Sequence, residues 1–148
     1  MQKQIVANDV FIPEIARLLA GGSKVIFKPK GVSMLPFIRG GRDSVVLRAP
    51  KDIMKGDIVL AKVGNIYVLH RIIELSDSIV TLMGDGNIIC TEKCNRNDIL
   101  AVAERIIKGE KEIVCRSESH QRKVRVWRLL KPFRRYILFI YRRVILHL

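Results

Sequence analysis

Nowhere in this chain do about 20 apolar residues run together, so no segment has the length to cross a bilayer as a helix. The opening Met1-Gln2-Lys3-Gln4-Ile5-Val6-Ala7-Asn8-Asp9 also lacks the apolar centre of a secretory signal. Together these absences lead us to expect the folded part in the cytoplasm. Cysteine is scarce: Cys90, Cys94 and Cys115 are an odd number for a disulfide framework, and reduced thiols are the simpler expectation. Cys90 and Cys94 stand four apart without a second Cys or His pair, which argues against a structural zinc site. No metal or organic cofactor is expected. Acidic residues are nearly missing from residues 116–148, which hold ten Lys or Arg against one Glu. That segment carries +9 of the chain's +13 and leaves +4 for residues 1–115. The charge excess therefore belongs to the tail, where it suits a polyanionic partner. With no recognition helix or zinc module beside the charge, a specific nucleic-acid partner is not expected.

What is present fits one globule. A chain of 148 residues can bury about two thirds of its unfolded surface in a single core, with no room for a second full domain. Asn8 or Asp9 can cap a short helix through Glu14, Ile15, Leu18 and Leu19 that ends at Gly21-Gly22. Val25 to Phe27, Ser44 to Leu47, Asp57 to Ala61, Tyr67 to Ile73 and Ile79 to Leu82 are short β-branched runs separated by turn residues, and Ile99 to Ile107 adds another. Their close spacing predicts a mainly β fold, a bent antiparallel sheet or small barrel, because a βαβ fold needs helices between its strands. From Gln121 the pattern turns helical and amphipathic. Basic residues gather on one half, with Leu138 and Phe139 intruding, while Trp127, Leu130, Ile137, Tyr141, Val144 and Leu148 share the other. Pro132 should split or kink this segment. We divide the chain into a domain of residues 1–115 and a basic helical tail of residues 116–148.

Ser33 stands in Gly31-Val32-Ser33-Met34-Leu35-Pro36, a bend after a strand where a hydroxyl can project out of the sheet. A serine is a weak nucleophile until a positioned base takes its proton. His120 and His147 belong to or adjoin the basic tail, whereas His70 sits inside the apolar run of a core strand. A neutral imidazole there could accept the Ser33 proton and return it to a leaving amine. Each residue also has an ordinary explanation: Ser33 as a cap for a turn over residues 34–38, His70 as an inert hydrogen-bonded strand residue, and Asp85 in Gly84-Asp85-Gly86-Asn87 as a hairpin turn.

The order of these pieces narrows the choice. Gly-x-Ser-Met-x-Pro, then Lys55-Gly56-Asp57-Ile58-Val59, then Val68-Leu69-His70-Arg71-Ile72, then Gly84-Asp85-Gly86-Asn87 resembles the Ser-His branch of the signal peptidase I family over residues 24–107. The resemblance implies a serine endopeptidase that cleaves a leader or signal segment, with Ser33 forming an acyl-enzyme, His70 as base and Asp85 orienting the histidine. It implies that Met34 and Pro36 shape the nucleophile bend. An extended substrate is expected to pair with a sheet edge over Val25 to Lys30, beside Phe27 and Lys28. Three departures accompany it. Gly31 replaces a serine that supplies an oxyanion-hole hydroxyl in many members, which leaves backbone N–H groups, chiefly that of Ser33. A second acidic position falls near Cys90, Thr91 and Glu92, so Glu92 is the substitute candidate. The third is the family's N-terminal membrane anchor, which is not expected here. The tail could instead lie on the anionic inner face of a membrane, pack on the domain or join a dimer. A catalytically silent module that binds peptides or contacts a transporter is the alternative function.

Overall fold

The computed structural model describes residues 3–6 and 12–144. It is mainly β, with 36% of residues in strands and 29% in helices, and its sheet curls into a half-barrel. The strands are β1 (Lys3–Val6), β2 (Lys24–Phe27), β3 (Ser44–Arg48), β4 (Ile58–Val63), β5 (Ile66–Leu75), β6 (Ile79–Met83), β7 (Glu92–Asn95), β8 (Ile99–Lys108) and β9 (Lys111–Val114). They lie in the order β1-β2-β3-β8-β4-β5-β6-β7, with β9 folded back on β8. The register slips between Val46 and Leu47, between Leu60 and Ala61, and between Ile72 and Glu74. Such irregularities add local twist, and three of them along neighbouring strands curl the sheet.

One pairing departs from the antiparallel expectation. β1 runs parallel to β2, with Lys3 opposite Lys24 and Val6 opposite Phe27. The edge expected to receive substrate over Val25 to Lys30 is therefore occupied as far as Phe27 by the chain's own first strand.

Helix α1 (Ile12–Ala20) packs against β2 and β8. Ile12, Ile15 and Leu19 recur at helical spacing and are buried against Val25, Phe27, Leu47, Leu60 and Ile106. Gly22, at φ +91°, ends the helix in the left-handed region that glycine adopts without a steric penalty. The cap expected from Asn8 or Asp9 lies outside the described residues. A second cluster, including Val59, Ile72, Val80, Leu82 and Val102, fills the far part of the sheet.

After β9 the chain enters α2 (Glu118–Leu129), capped by Ser117, whose side chain accepts the His120 N–H. Lys131–Phe133 form a single 3₁₀ turn at Pro132, and α3 (Arg134–Val144) follows. Proline lacks the donor a continuous helix needs, which explains the break. Val124, Trp127 and Leu138 are buried. Trp127 and Leu138 pack with Leu35, flanked by Phe37, Leu130, Ile137 and Tyr141. The apolar half of the tail's helical wheel is thus turned toward the domain as far as Tyr141. Arg116 fastens the junction with a two-pronged grip on Asp57 at 2.9 and 2.7 Å and a bond to the Asp52 carbonyl at 2.7 Å. No helix among the described residues is long and apolar enough to cross a membrane.

Truncating a side chain in this core tests the packing. Ile15→Ala should lose about 2–5 kcal/mol in urea unfolding, whereas Arg17→Ala, which breaks only an exposed pair with Glu14, should leave the midpoint unchanged.

Candidate active site

Ser33 rides on the long loop between β2 and β3. Gly31 takes φ +86°, and Gly40 presses so close that a Cβ there would lie 2.1 Å from the Gly31 carbonyl oxygen. The loop is tied off by the Gly41 N–H donating to the Pro29 carbonyl at 2.7 Å and by Asp43, which accepts the Arg39 N–H at 2.7 Å. Around the serine, the Leu35 N–H donates to the Val32 carbonyl, and the Phe37 and Ile38 N–H groups both donate to Met34. These bonds close the bend with Ser33 and Met34 at its centre. Among the described residues the Ser33 side chain caps no backbone N–H, and the Ser33 N–H is engaged by no acceptor. The peptide bond between Leu35 and Pro36 is cis.

The bend rests on the turn that follows β6. The Gly86 N–H donates to the Ser33 carbonyl at 2.8 Å, and the Asp85 N–H points at the Met34 sulfur at 3.4 Å. A Cβ on Gly84 would stand 2.4 Å from the Ser33 carbonyl oxygen, and one on Gly86 would stand 2.5 Å from that of Val32. Both glycines are thus there because two backbones meet, a reason distinct from hairpin chemistry. A Cβ on Gly84 would also come within 3.2 Å of the His70 ring, so this one bare position lets the imidazole and the serine loop approach the same point.

His70 and Arg71 are neighbours on β5, so they project to opposite faces. On one face, His70 Nδ1 is hydrogen-bonded to the Glu92 carboxylate, at the start of β7. A carboxylate only accepts, so Nδ1 is the donor, and in the neutral form of this imidazole the lone pair lies on Nε2. On the other face, Arg71 grips Asp85 through two bonds of 2.8 and 2.7 Å, and both side chains are buried. Arg71 also donates to the Gly56 carbonyl and stacks over the Phe37 ring at 5.5 Å. The carboxylate on His70 is therefore Glu92, while Asp85 serves Arg71.

The tail completes this second face. Trp127 donates its indole N–H to the Asp85 carbonyl at 2.7 Å, and Arg134 donates to the Asn87 carbonyl at 3.1 Å. His120 Nε2 lies 3.4 Å from an Arg71 nitrogen, and a guanidinium only donates, so this imidazole is the acceptor and stays neutral. Burial, reinforced by the Arg71 charge, pushes its pKa down from 6.5 to about 4.

Ser33 and His70 line one pocket of about 240 Å³, whose apolar wall includes Phe27, Met34, Leu60 and Tyr67. Of the other expected substrate contacts, Lys28 is exposed and does not line this pocket. Pro36 faces a separate groove with Phe37, His120 and Lys123. Among the described residues no three His, Cys, Asp or Glu side chains are gathered to hold a metal ion. Burial pushes the Cys115 thiol up to about 12, which makes it unreactive. No protein-family model matches the chain, and neither does any curated protein.

His120 gives the fold an acid-sensitive joint. Its folded pKa lies below its unfolded value, so the stability it contributes is complete above about pH 6.5 and is lost as pH falls toward 4. Thermal unfolding midpoints measured across this range should fall more steeply for the natural chain than for His120→Gln, which binds no proton.

Proposed function

We propose that the chain is a serine endopeptidase of the signal peptidase type, cutting a leader or signal segment from a peptide or protein. The observation that carries this reading is the pairing of His70 Nδ1 with Glu92 beside a pocket that Ser33 also lines. Nothing in a purely structural strand histidine requires a carboxylate behind it and a serine bend before it.

In the proposed reaction, Nε2 of neutral His70 takes the Ser33 proton as Oγ attacks the scissile carbonyl carbon. Negative charge then develops on the carbonyl oxygen, for which the Ser33 N–H is the available donor. The imidazolium, stabilised by Glu92, gives its proton to the leaving amine, and the C–N bond breaks. Water attacks the resulting ester with His70 again as base, releasing the acid and restoring Ser33. Glu92 and Asp85 are positioning residues here. Glu92 fixes the tautomer, and Asp85, through Arg71, holds the Gly84–Asn87 turn that supports the serine bend.

Because β1 covers the edge as far as Phe27, the peptide is proposed to lie along Pro29 to Gly31, which follow that strand and line the pocket. Its apolar wall suits an uncharged side chain next to the cut bond. The basic tail supports a peripheral position on the inner face of a membrane.

A serine-reactive acylating probe followed by mass spectrometry tests the assignment. The adduct should map to Ser33 and vanish in Ser33→Ala and His70→Ala. Glu92→Gln should slow labelling by roughly 10²–10⁴-fold, as loss of a histidine-orienting carboxylate does. Folded protein that takes no adduct from several probes would move the assignment to a silent peptide-binding module.

A further inference from the structure

The two tail helices present apolar side chains on both sides. The inner side is spent on the domain, where Trp127 and Leu138 are buried and Ile137 and Tyr141 pack partly buried beside them. The outer side should then be polar if water were its only neighbour. It is not: Leu129, Phe133, Tyr136, Phe139 and Ile140 are each more than half exposed. In α3, Tyr136, Phe139 and Ile140 fall at i, i+3 and i+4, one stripe roughly opposite the buried Arg134 and Leu138. Leu129 and Phe133 add to it from the end of α2 and the turn. An exposed apolar stripe of this kind marks an interaction site more often than chance.

The charge around the stripe identifies what covers it. No Asp or Glu follows Glu118, while nine Lys or Arg occur between Arg122 and Arg143. Arg135 and Arg142 flank the α3 stripe, and Arg143 lies over the Phe139 ring at 5.6 Å. A second copy of the chain would bring the same positive surface against itself. Nucleic acid would leave Leu129 and Ile140 without a partner. An anionic bilayer satisfies both features, taking the apolar side chains below the headgroups and the arginines at phosphate level.

We propose that the outer face of α2, the Lys131–Phe133 turn and α3 docks on an anionic lipid surface while the inner face stays on the domain. The inference rests on the membrane placement proposed above and names the face responsible. It differs from the membrane alternative of the sequence reading, which would turn the apolar half carrying Trp127, Leu130 and Ile137 to the lipid, and keeps that half on the domain. It is independent of whether Ser33 is a nucleophile.

The full chain would be sedimented with phosphatidylglycerol-rich vesicles and with pure phosphatidylcholine vesicles, and compared with the double variant Phe139→Ser/Ile140→Ser. Trp127, the one tryptophan, reports on the inner face through quenching by brominated lipid and confirms that the variant is folded. The expected result is salt-sensitive binding to the anionic vesicles only, a rise of at least about tenfold in half-saturating lipid for the variant, and no quenching of Trp127. Absence of binding to anionic vesicles would overturn both the membrane placement and this face. Binding that the variant leaves unchanged, or strong quenching of Trp127, would overturn this face alone. A lipid-free dimer abolished by the same substitutions would overturn it in favour of a second copy, and equally tight retention on nucleic acid by both proteins would do so in favour of that polyanion.

Discussion

The buried ion pair between Arg71 and Asp85 is the constraint on which the rest depends. Two charges removed from water are tolerated only when their hydrogen bonds are made, and removing one partner of such a pair costs about 3–5 kcal/mol. Here the pair fixes the Gly84–Asn87 turn from behind, with Gly56, Phe37 and His120 filling out the guanidinium's surroundings. From that turn, Gly86 holds the serine bend through a backbone bond, and the Asp85 carbonyl anchors the tail by accepting the Trp127 indole N–H. The serine loop, the sheet and the tail thus converge on one turn of four residues.

Strand alternation separates the two jobs. His70 faces the pocket and Arg71, one residue on, faces the tail, so the pocket wall and the scaffold use adjacent positions of β5 without competing for one carboxylate. Each has its own: Glu92 for the imidazole, Asp85 for the guanidinium. Tail and site are mechanically linked, because what grips Asp85 and Asn87 on one side supports Ser33 and faces His70 on the other.

The fold was legible where burial writes a pattern. β-branched runs marked β2 to β6 and β8, paired glycines marked the end of α1, and Pro132 marked the break between α2 and α3. β7 was not legible, since Glu92-Lys93-Cys94-Asn95 buries only Cys94 and carries no apolar alternation. β1 and β9 are four residues each, held by pairing with a longer neighbour more than by their own composition. Within the site, order along the chain pointed to Ser33, His70 and Asp85 but not to which carboxylate serves His70 and which serves Arg71. That depends on β5 and β7 lying either side of β6, which makes Glu92 a neighbour of His70, and on Arg71 claiming Asp85 first. The tail's wheel likewise showed an apolar half without revealing that the domain would cover it and leave a second apolar stripe outside.

The most direct measurement is the tautomer of His70, read from imidazole ¹⁵N shifts of the folded chain at neutral pH. The arrangement described here requires the proton on Nδ1, bound to Glu92, and a bare Nε2; this state should be disturbed by Glu92→Gln and kept in a folded Asp85→Asn. A proton on Nε2, or a tautomer that follows Asp85 and ignores Glu92, would contradict a histidine poised to act as base toward Ser33.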